Sequence, residues 1–251
     1  MAQRSGGAWV LAAGVMTAAL AAAVAARGAG PAGMEVCPTV TAPAAPAPAA
    51  GPFVSLLKGK DTAGWTATGG AEWLVRDGCL VGTQTTGKGG DLTHEKEWDN
   101  FDLRATYRVK WPANSGFWFR FDKGRGYQFD ILKWKRPVAF SGTLYCPGKM
   151  FITTNLNEAI ENRDDWNEAR IWAVGDRIIL WLNGKRVGDT TDKTLAKGHV
   201  GIQVHGGNEF KGMEIVIKRL EVRPLAADEP PPPMTEAEKP PAPPAPAAPG
   251  K

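Results

Sequence analysis

Cysteine, long runs of one charge and helical periodicity are all scarce in this 251-residue chain, and each scarcity removes a class of function. The three cysteines, Cys37, Cys79 and Cys146, stand at no metal-ligand spacing, so zinc and iron–sulfur sites are not signalled. Only two of them fall in the part of the chain that can fold, which allows at most one internal bridge: a Cys79–Cys146 disulfide or two buried free thiols. The formal charge of +4 is a small excess spread along the sequence without a basic run, so there is no nucleic-acid footprint. No repeat unit recurs, which argues against solenoids and propellers.

The two ends differ from the middle. Arg4 precedes AWVLAAGVMTAALAAAVAA, residues 8–26, an uncharged apolar run behind a basic start. Residues 1–30 are expected to be a signal peptide, with Ala23-Val24-Ala25 as small residues for cleavage, or an N-terminal membrane anchor. Either reading exports the chain to the periplasm or the cell surface. Residues 31–52 are read as a Pro/Ala-rich linker and residues 226–251 as a disordered Pro-rich tail, because neither carries enough large apolar side chains to offset ordering. One domain, residues 53–225, remains.

That domain reads as strands. Phe101, Leu103, Ala105, Tyr107 and Val109 alternate with Asp102, Arg104, Thr106, Arg108 and Lys110. A period of two marks a strand with one wet face. Similar stretches recur at residues 73–82, 115–121, 126–132, 169–188, 199–206 and 213–222, separated by Asp77-Gly78, Gly175-Asp176 and Asn183-Gly184, which are hairpin-turn pairs. Only residues 157–166 suggest a short helix. The fold class is therefore all-β, a two-sheet antiparallel sandwich or jelly roll.

Within NSGFWFRFDKGRGYQFDI, residues 114–131, strand parity separates the side chains. Phe117, Phe119 and Phe121 share one side and Trp118 and Arg120 the other, while Tyr127, Phe129 and Ile131 oppose Gln128, Asp130 and Leu132. Near the C-terminus Ile202 and Val204 oppose Gln203 and His205. If these strands are neighbours, their polar residues line one surface, about 5 Å apart across the sheet and ~7 Å along it. Such a cleft suits a sugar, with Trp118, Trp134 or Trp166 stacking on a ring and amides, arginine and carboxylate meeting hydroxyls. The plainer reading is an Arg120–Asp130 cross-strand ion pair on a solvated face. Asp91, Glu95 and Asp99 form an acidic cluster with calcium-ligand chemistry but no regular ligand spacing.

FVSLLKGKDTAGW (53–65), NSG (114–116) followed by Arg120, GYQFDI (126–131), SGTLY (141–145), DWNEARI (165–171), LNGKRV (182–187) and GHVGIQVHG (198–206) together resemble the 3-keto-disaccharide hydrolase domain family, DUF1080. The likeness spans essentially all of residues 53–222. It implies a concanavalin A-like jelly roll, export, and a hydrolase acting on glycosides oxidised to a ketone at carbon 3. One departure stands out: where the family has Gly-Tyr-Glu-x-Gln, this chain has Gly126-Tyr127-Gln128-Phe129-Asp130, so carboxylate and amide exchange places on one strand face. With that resemblance, His205 or Asp130 is expected as base, Arg120 with Asn114 at the keto oxygen, and Gln128, Gln203, Tyr145 and the ring platforms Trp118 and Trp166 as saccharide contacts. A divalent metal in place of Arg120 is an open alternative. The rival function is a non-catalytic, lectin-like carbohydrate-binding module at the cell surface.

Overall fold

Alternation of apolar and polar residues with tight two-residue turns builds two packed antiparallel sheets, seen in a computed structural model that describes residues 51–235 and Glu238. In chain order the strands are β1 (Val54–Ser55), β2 (Trp65–Gly69), β3 (Glu72–Arg76), β4 (Cys79–Thr83) and β5 (Gly90–Trp98). Next come β6 (Phe101–Lys110), β7 (Asn114–Asp122), β8 (Arg125–Lys135), β9 (Val138–Cys146) and β10 (Met150–Asn155). The last are β11 (Asn167–Val174), β12 (Arg177–Leu182), β13 (Lys185–Thr191), β14 (Gly198–Val204) and β15 (Glu214–Pro224). One sheet runs β13-β12-β11-β6-β15-β4-β3, with β1 added on β15; the other runs β10-β9-β8-β7-β14-β5-β2. Strands far apart in sequence thus become neighbours, the crossing pattern of a jelly roll.

The hairpin pairs do what their chemistry requires. Asp77 and Gly78 take φ of 52° and 77°, and Asn183 and Gly184 take 49° and 74°, the two left-handed residues of a type I′ turn. The 157–166 stretch forms a single 3-10 turn, Glu158–Ile160, with the Asn157 side chain accepting a hydrogen bond from the Ala159 N–H at 3.0 Å. Its apolar residues are too irregular to bury a longer helix.

The core is the inner layer expected from parity. Phe117, Phe119, Tyr127, Phe129, Ile131, Ile202 and Val204 join Phe101, Leu103, Tyr107, Ile171 and Ile217 in one buried cluster. Each such side chain contributes about 1.5–3 kcal/mol on leaving water. A second, smaller cluster lies on the outer side of β11 and β12, where Trp172, Val174, Ile179 and Trp181 pack with Leu225.

Cys79 and Cys146 resolve to free thiols on different sheets, and burial pushes the Cys146 thiol up. The apolar run 8–26, the remaining signal and linker residues up to 50, and Cys37 lie outside the described residues. Among the described residues no helix is long and apolar enough to cross a membrane. The beginning of the expected tail is placed: Pro232, Pro233, Thr235 and Glu238 border Trp181 on the outer face of the β11–β12 sheet.

Candidate functional site

The face of the β7–β8 sheet turned away from the core opens into a cavity of about 520 Å³. Five strands contribute its floor in register. Asp130 of β8 pairs with Gly116 of β7, Gly116 with Gln203 of β14, and Gln203 with Asp91 of β5. One residue pair along, Tyr145 of β9 pairs with Gln128, Gln128 with Trp118, and Trp118 with Gly201. Because alternate residues share a face, these two rows present their side chains to the same space. Asn114, opposite Leu132, and His205 stand two residues further along, in the next row, tied by the His205 N–H donating to the Asn114 carbonyl at 3.0 Å.

The floor depends on a missing side chain. A Cβ at Gly116 would stand 2.7 Å from Gln128 Cγ and 2.7 Å from the Phe129 carbonyl oxygen. Only glycine leaves Gln128 its place and keeps the cavity deep between Asp130 and Gln203.

Asp130 is 3% exposed and accepts no hydrogen bond among the described residues, so burial alone drives its carboxyl well above the usual range. That burial favours the protonated form, which is a hydrogen-bond donor. Asp91 sits in a different environment. Burial raises its carboxyl above the usual range, and the shift is only partly opposed by the Trp118 indole N–H, which donates to Asp91 Oδ1 at 2.8 Å, by the Gln203 side chain and by the charge of His205. Gln128 Nε2 donates to Gln203 Oε1 at 3.2 Å, which fixes both amides in a line from Gln128 to Asp91. The His205 ring is exposed at the mouth, and its Nδ1 faces the Gly206 carbonyl. The N–H belongs on Nδ1, which leaves Nε2 as a free acceptor. Tyr145 lines the wall with its hydroxyl raised by burial and by the neighbouring Asp130. Pro147, Met150 and Phe151 lie beside Tyr145, and Leu132 and Trp134 lie toward the other end of β8, so apolar residues border the cavity on both sides.

Asn114, Trp118, Gln128, Asp130, Tyr145, Gln203 and His205 are therefore brought together, as the sequence reading expected. Two expected residues are not. Arg120 has φ of 47° at a register break between Phe119 and Asp122, and this extra residue ends the alternation. Phe121 consequently turns to the cavity, stacking on Trp118 at 4.9 Å between ring centroids, while Arg120 is drawn away from it. Arg120 is 1% exposed, with Nε and Nη2 donating to the Asp99 carbonyl at 3.0 and 2.7 Å and Nη1 to the Leu195 carbonyl at 3.0 Å. It ties loops together, makes no ion pair with Asp130, and does not reach the cavity. Trp166 is the second correction. It lies under Lys218 and Arg108, 4.3 and 5.2 Å from its ring centroid, so residues of β15 and β6 hold it against the other sheet. Trp134, 37% exposed, remains as a ring platform at the rim.

Asp91 is the residue that the sequence reading misplaced. The sequence puts it in an acidic cluster with Glu95 and Asp99, yet Asp91 lines the cavity and Asp99 uses its side chain on the Asn100 N–H at 2.6 Å. Leu92 buried beside Asp91 was the available signal of a strand, masked by the charged run that follows. The cavity thus holds two carboxyl groups rather than one. Among the described residues no three His, Cys, Asp or Glu side chains are grouped so as to hold a metal ion.

Comparison with known proteins adds independent findings. The model of the 3-keto-alpha-glucoside-1,2-lyase-like domain matches residues 52–223. A 3-keto-disaccharide hydrolase from Bacteroides thetaiotaomicron is 30% identical over 173 residues, 64% of this chain; the chain spans 58% of that relative's length. A candidate glycosyl hydrolase from Parabacteroides distasonis has the same fold with a TM-score of 0.55 and 18% identity, over 69% of this chain and 94% of that one. The potassium-bound carbohydrate recognition domain of Emp46p superposes with a TM-score of 0.51 and 14% identity, over 69% of this chain and 95% of that one. From the strand order, the cleft and the match across residues 52–223, this chain belongs to the 3-keto-alpha-glucoside-1,2-lyase-like domain family.

Proposed function

We propose that this domain cleaves 3-keto-glycosides by elimination across C1 and C2 of the oxidised sugar followed by addition of water. The observation that carries the reading is the pair of unequal carboxyl groups in one cleft. Asp130 lies in a dry site that favours its protonated form and has no hydrogen-bond partner among the described residues, whereas Asp91, also raised by burial, accepts a hydrogen bond from the Trp118 indole N–H that partly offsets this. Groups of one kind whose environments differ in this way are suited to different roles in acid–base chemistry.

A ketone at C3 makes the C2 hydrogen acidic. His205 Nε2 takes that proton, and the C2–H electron pair moves to the C3 oxygen as an enediolate. The Asp130 O–H and the Asn114 side chain donate to this oxygen, the part first expected of Arg120. Collapse of the enediolate breaks the C1–O bond, and the leaving oxygen receives the proton from the His205 imidazolium. Water then adds to the resulting enone at C1, with its proton returning to C2. Asp91 stabilises the charged imidazolium, and Gln128, Gln203 and Tyr145 orient hydroxyls while Trp118 and Trp134 flank the ring. A positioned base and an oxyanion donor supply on the order of 10² to 10⁴-fold each. The basic start and apolar run at residues 4–26 support an exported site of action.

The exchange of Gln128 and Asp130 relative to the family pattern, together with the likeness to a carbohydrate recognition domain, favours one second reading: a saccharide-binding module without turnover. Incubating the protein with a 3-keto-disaccharide and with its unoxidised parent separates the two. The elimination mechanism expects release of the leaving sugar from the keto compound alone, with His205→Ala and Asp91→Asn each lowering the rate at least tenfold. Saturable binding of both sugars without any product would overturn it in favour of the module.

A further inference from the structure

The outer side of the β11–β12 sheet carries a groove that the sugar cleft does not use. Alternation directs Trp172 and Val174 of β11 and Ile179 and Trp181 of β12 away from the main core, yet all four are buried. Outward tryptophans this dry need a cover, since uncovered apolar patches mark binding surfaces. The chain supplies it from its own continuation. Leu225 enters the cluster, and Pro232, Pro233, Thr235 and Glu238 line a groove of about 340 Å³ with Trp181, Arg170 and Arg219.

The contacts are those of peptide recognition. The Trp181 indole N–H donates to Glu238 Oε1, and Arg186 Nε stands 3.6 Å from the same oxygen. Arg186 Nη2 donates to the Pro232 carbonyl at 3.3 Å. The guanidiniums of Arg170 and Arg186 lie 4.8 and 5.2 Å from the centroid of the Trp181 ring, which holds the indole in one orientation. Glu238 is in turn braced by the Thr235 N–H and O–H, at 2.6 and 3.0 Å. The glutamate side chain is only 3% exposed. Four consecutive prolines, Pro230 to Pro233, favour the polyproline II conformation. Such a segment loses little entropy on docking in an aromatic groove and presents its carbonyls to donors.

We propose that this groove is a recognition site, separate from the sugar cleft, for a proline-rich segment followed by a glutamate. Residues 229–235 and Glu238 of the chain occupy its Trp181–Arg186 side in cis, and the same segment of a second copy takes their place in trans when the cis segment is released. The proline-rich stretch at residues 38–52 contains no acidic residue and so lacks the anchor for Trp181 and Arg186. A tethered segment reaches the groove at an effective concentration in the millimolar range, so the cis arrangement dominates in the intact chain.

The test uses the full chain and a synthetic peptide of residues 229–238, followed by calorimetry and tryptophan fluorescence. The Glu238→Ala chain, its cis anchor removed, is expected to bind the peptide at least tenfold more tightly than the unaltered chain. Adding Arg186→Ala to that variant should weaken binding roughly tenfold or more, the size of a lost charge-assisted hydrogen bond. A peptide of residues 38–52 should not bind. Failure of the Glu238→Ala chain to bind the 229–238 peptide, or equal binding by all three chains, would overturn the proposal.

Discussion

Replacing Asp130 with asparagine should make the protein more stable at neutral pH and less active, and the two effects have one cause. The Asp130 side chain is 3% exposed, and burial raises its carboxyl well above the usual range without an opposing hydrogen bond or cation. In the unfolded chain an aspartate titrates near about 3.9. Between that value and the higher folded-state value, the folded protein holds a proton that the unfolded chain has lost, so stability falls as pH rises through the window. Asparagine is nearly the same size, donates a hydrogen bond and never ionises. Each unit by which burial displaces the group is worth about 1.4 kcal/mol. A domain of this size moves its Tm by about 2–4 °C per kcal/mol. Urea or thermal unfolding at pH 7.5 should therefore show the Asp130→Asn protein ahead by a few degrees, with the gap closing at pH 4. Turnover of a 3-keto-disaccharide should fall by about 10²-fold, because the amide N–H is a weaker donor than the carboxyl O–H to the enediolate oxygen. An Asp130→Asn protein less stable than the parent at pH 7.5 would mean that the carboxylate has a stabilising partner. Undiminished turnover would remove Asp130 from the chemistry. Either result refutes the reasoning.

Further outcomes follow from the same geometry. Trp118→Phe removes the indole donor that lowers the Asp91 carboxyl, so the acid limb of the pH–rate profile should move to higher pH, with little change in fold by circular dichroism. Arg120→Met removes the guanidinium's hydrogen bonds to the Asp99 and Leu195 carbonyls, bonds to a charged group of a kind worth about 1.5–3 kcal/mol each, so denaturant unfolding should show a clear loss of stability. KM measured on the remaining folded protein should be unchanged. Gly116→Ala places a methyl 2.7 Å from Gln128 Cγ, which should cost about 1–3 kcal/mol through overpacking and should weaken saccharide binding in a titration more than tenfold.

The sequence by itself determined the class of the fold and the polarity of its central strands. Period-two alternation in residues 101–110 and 126–132, and the left-handed turn pairs at Asp77-Gly78 and Asn183-Gly184, are local properties. Their outcome depends on nothing beyond the strand geometry of a few residues. For that reason Gln128, Asp130, Gln203 and His205 could be assigned to one face in advance, and the cavity gathers them. Tertiary structure alone decided the rest. One additional residue at Arg120 breaks the count, and parity beyond a bulge has the opposite meaning, so a cation expected in the cleft became a buried brace while Phe121 took its side. Asp91 entered the cleft because β5 pairs with β14, a contact between residues more than a hundred positions apart that no local pattern announces. The start of the proline-rich tail was placed for the same kind of reason: its composition cannot form a core of its own, but the outward tryptophans of β11 and β12 lend it one.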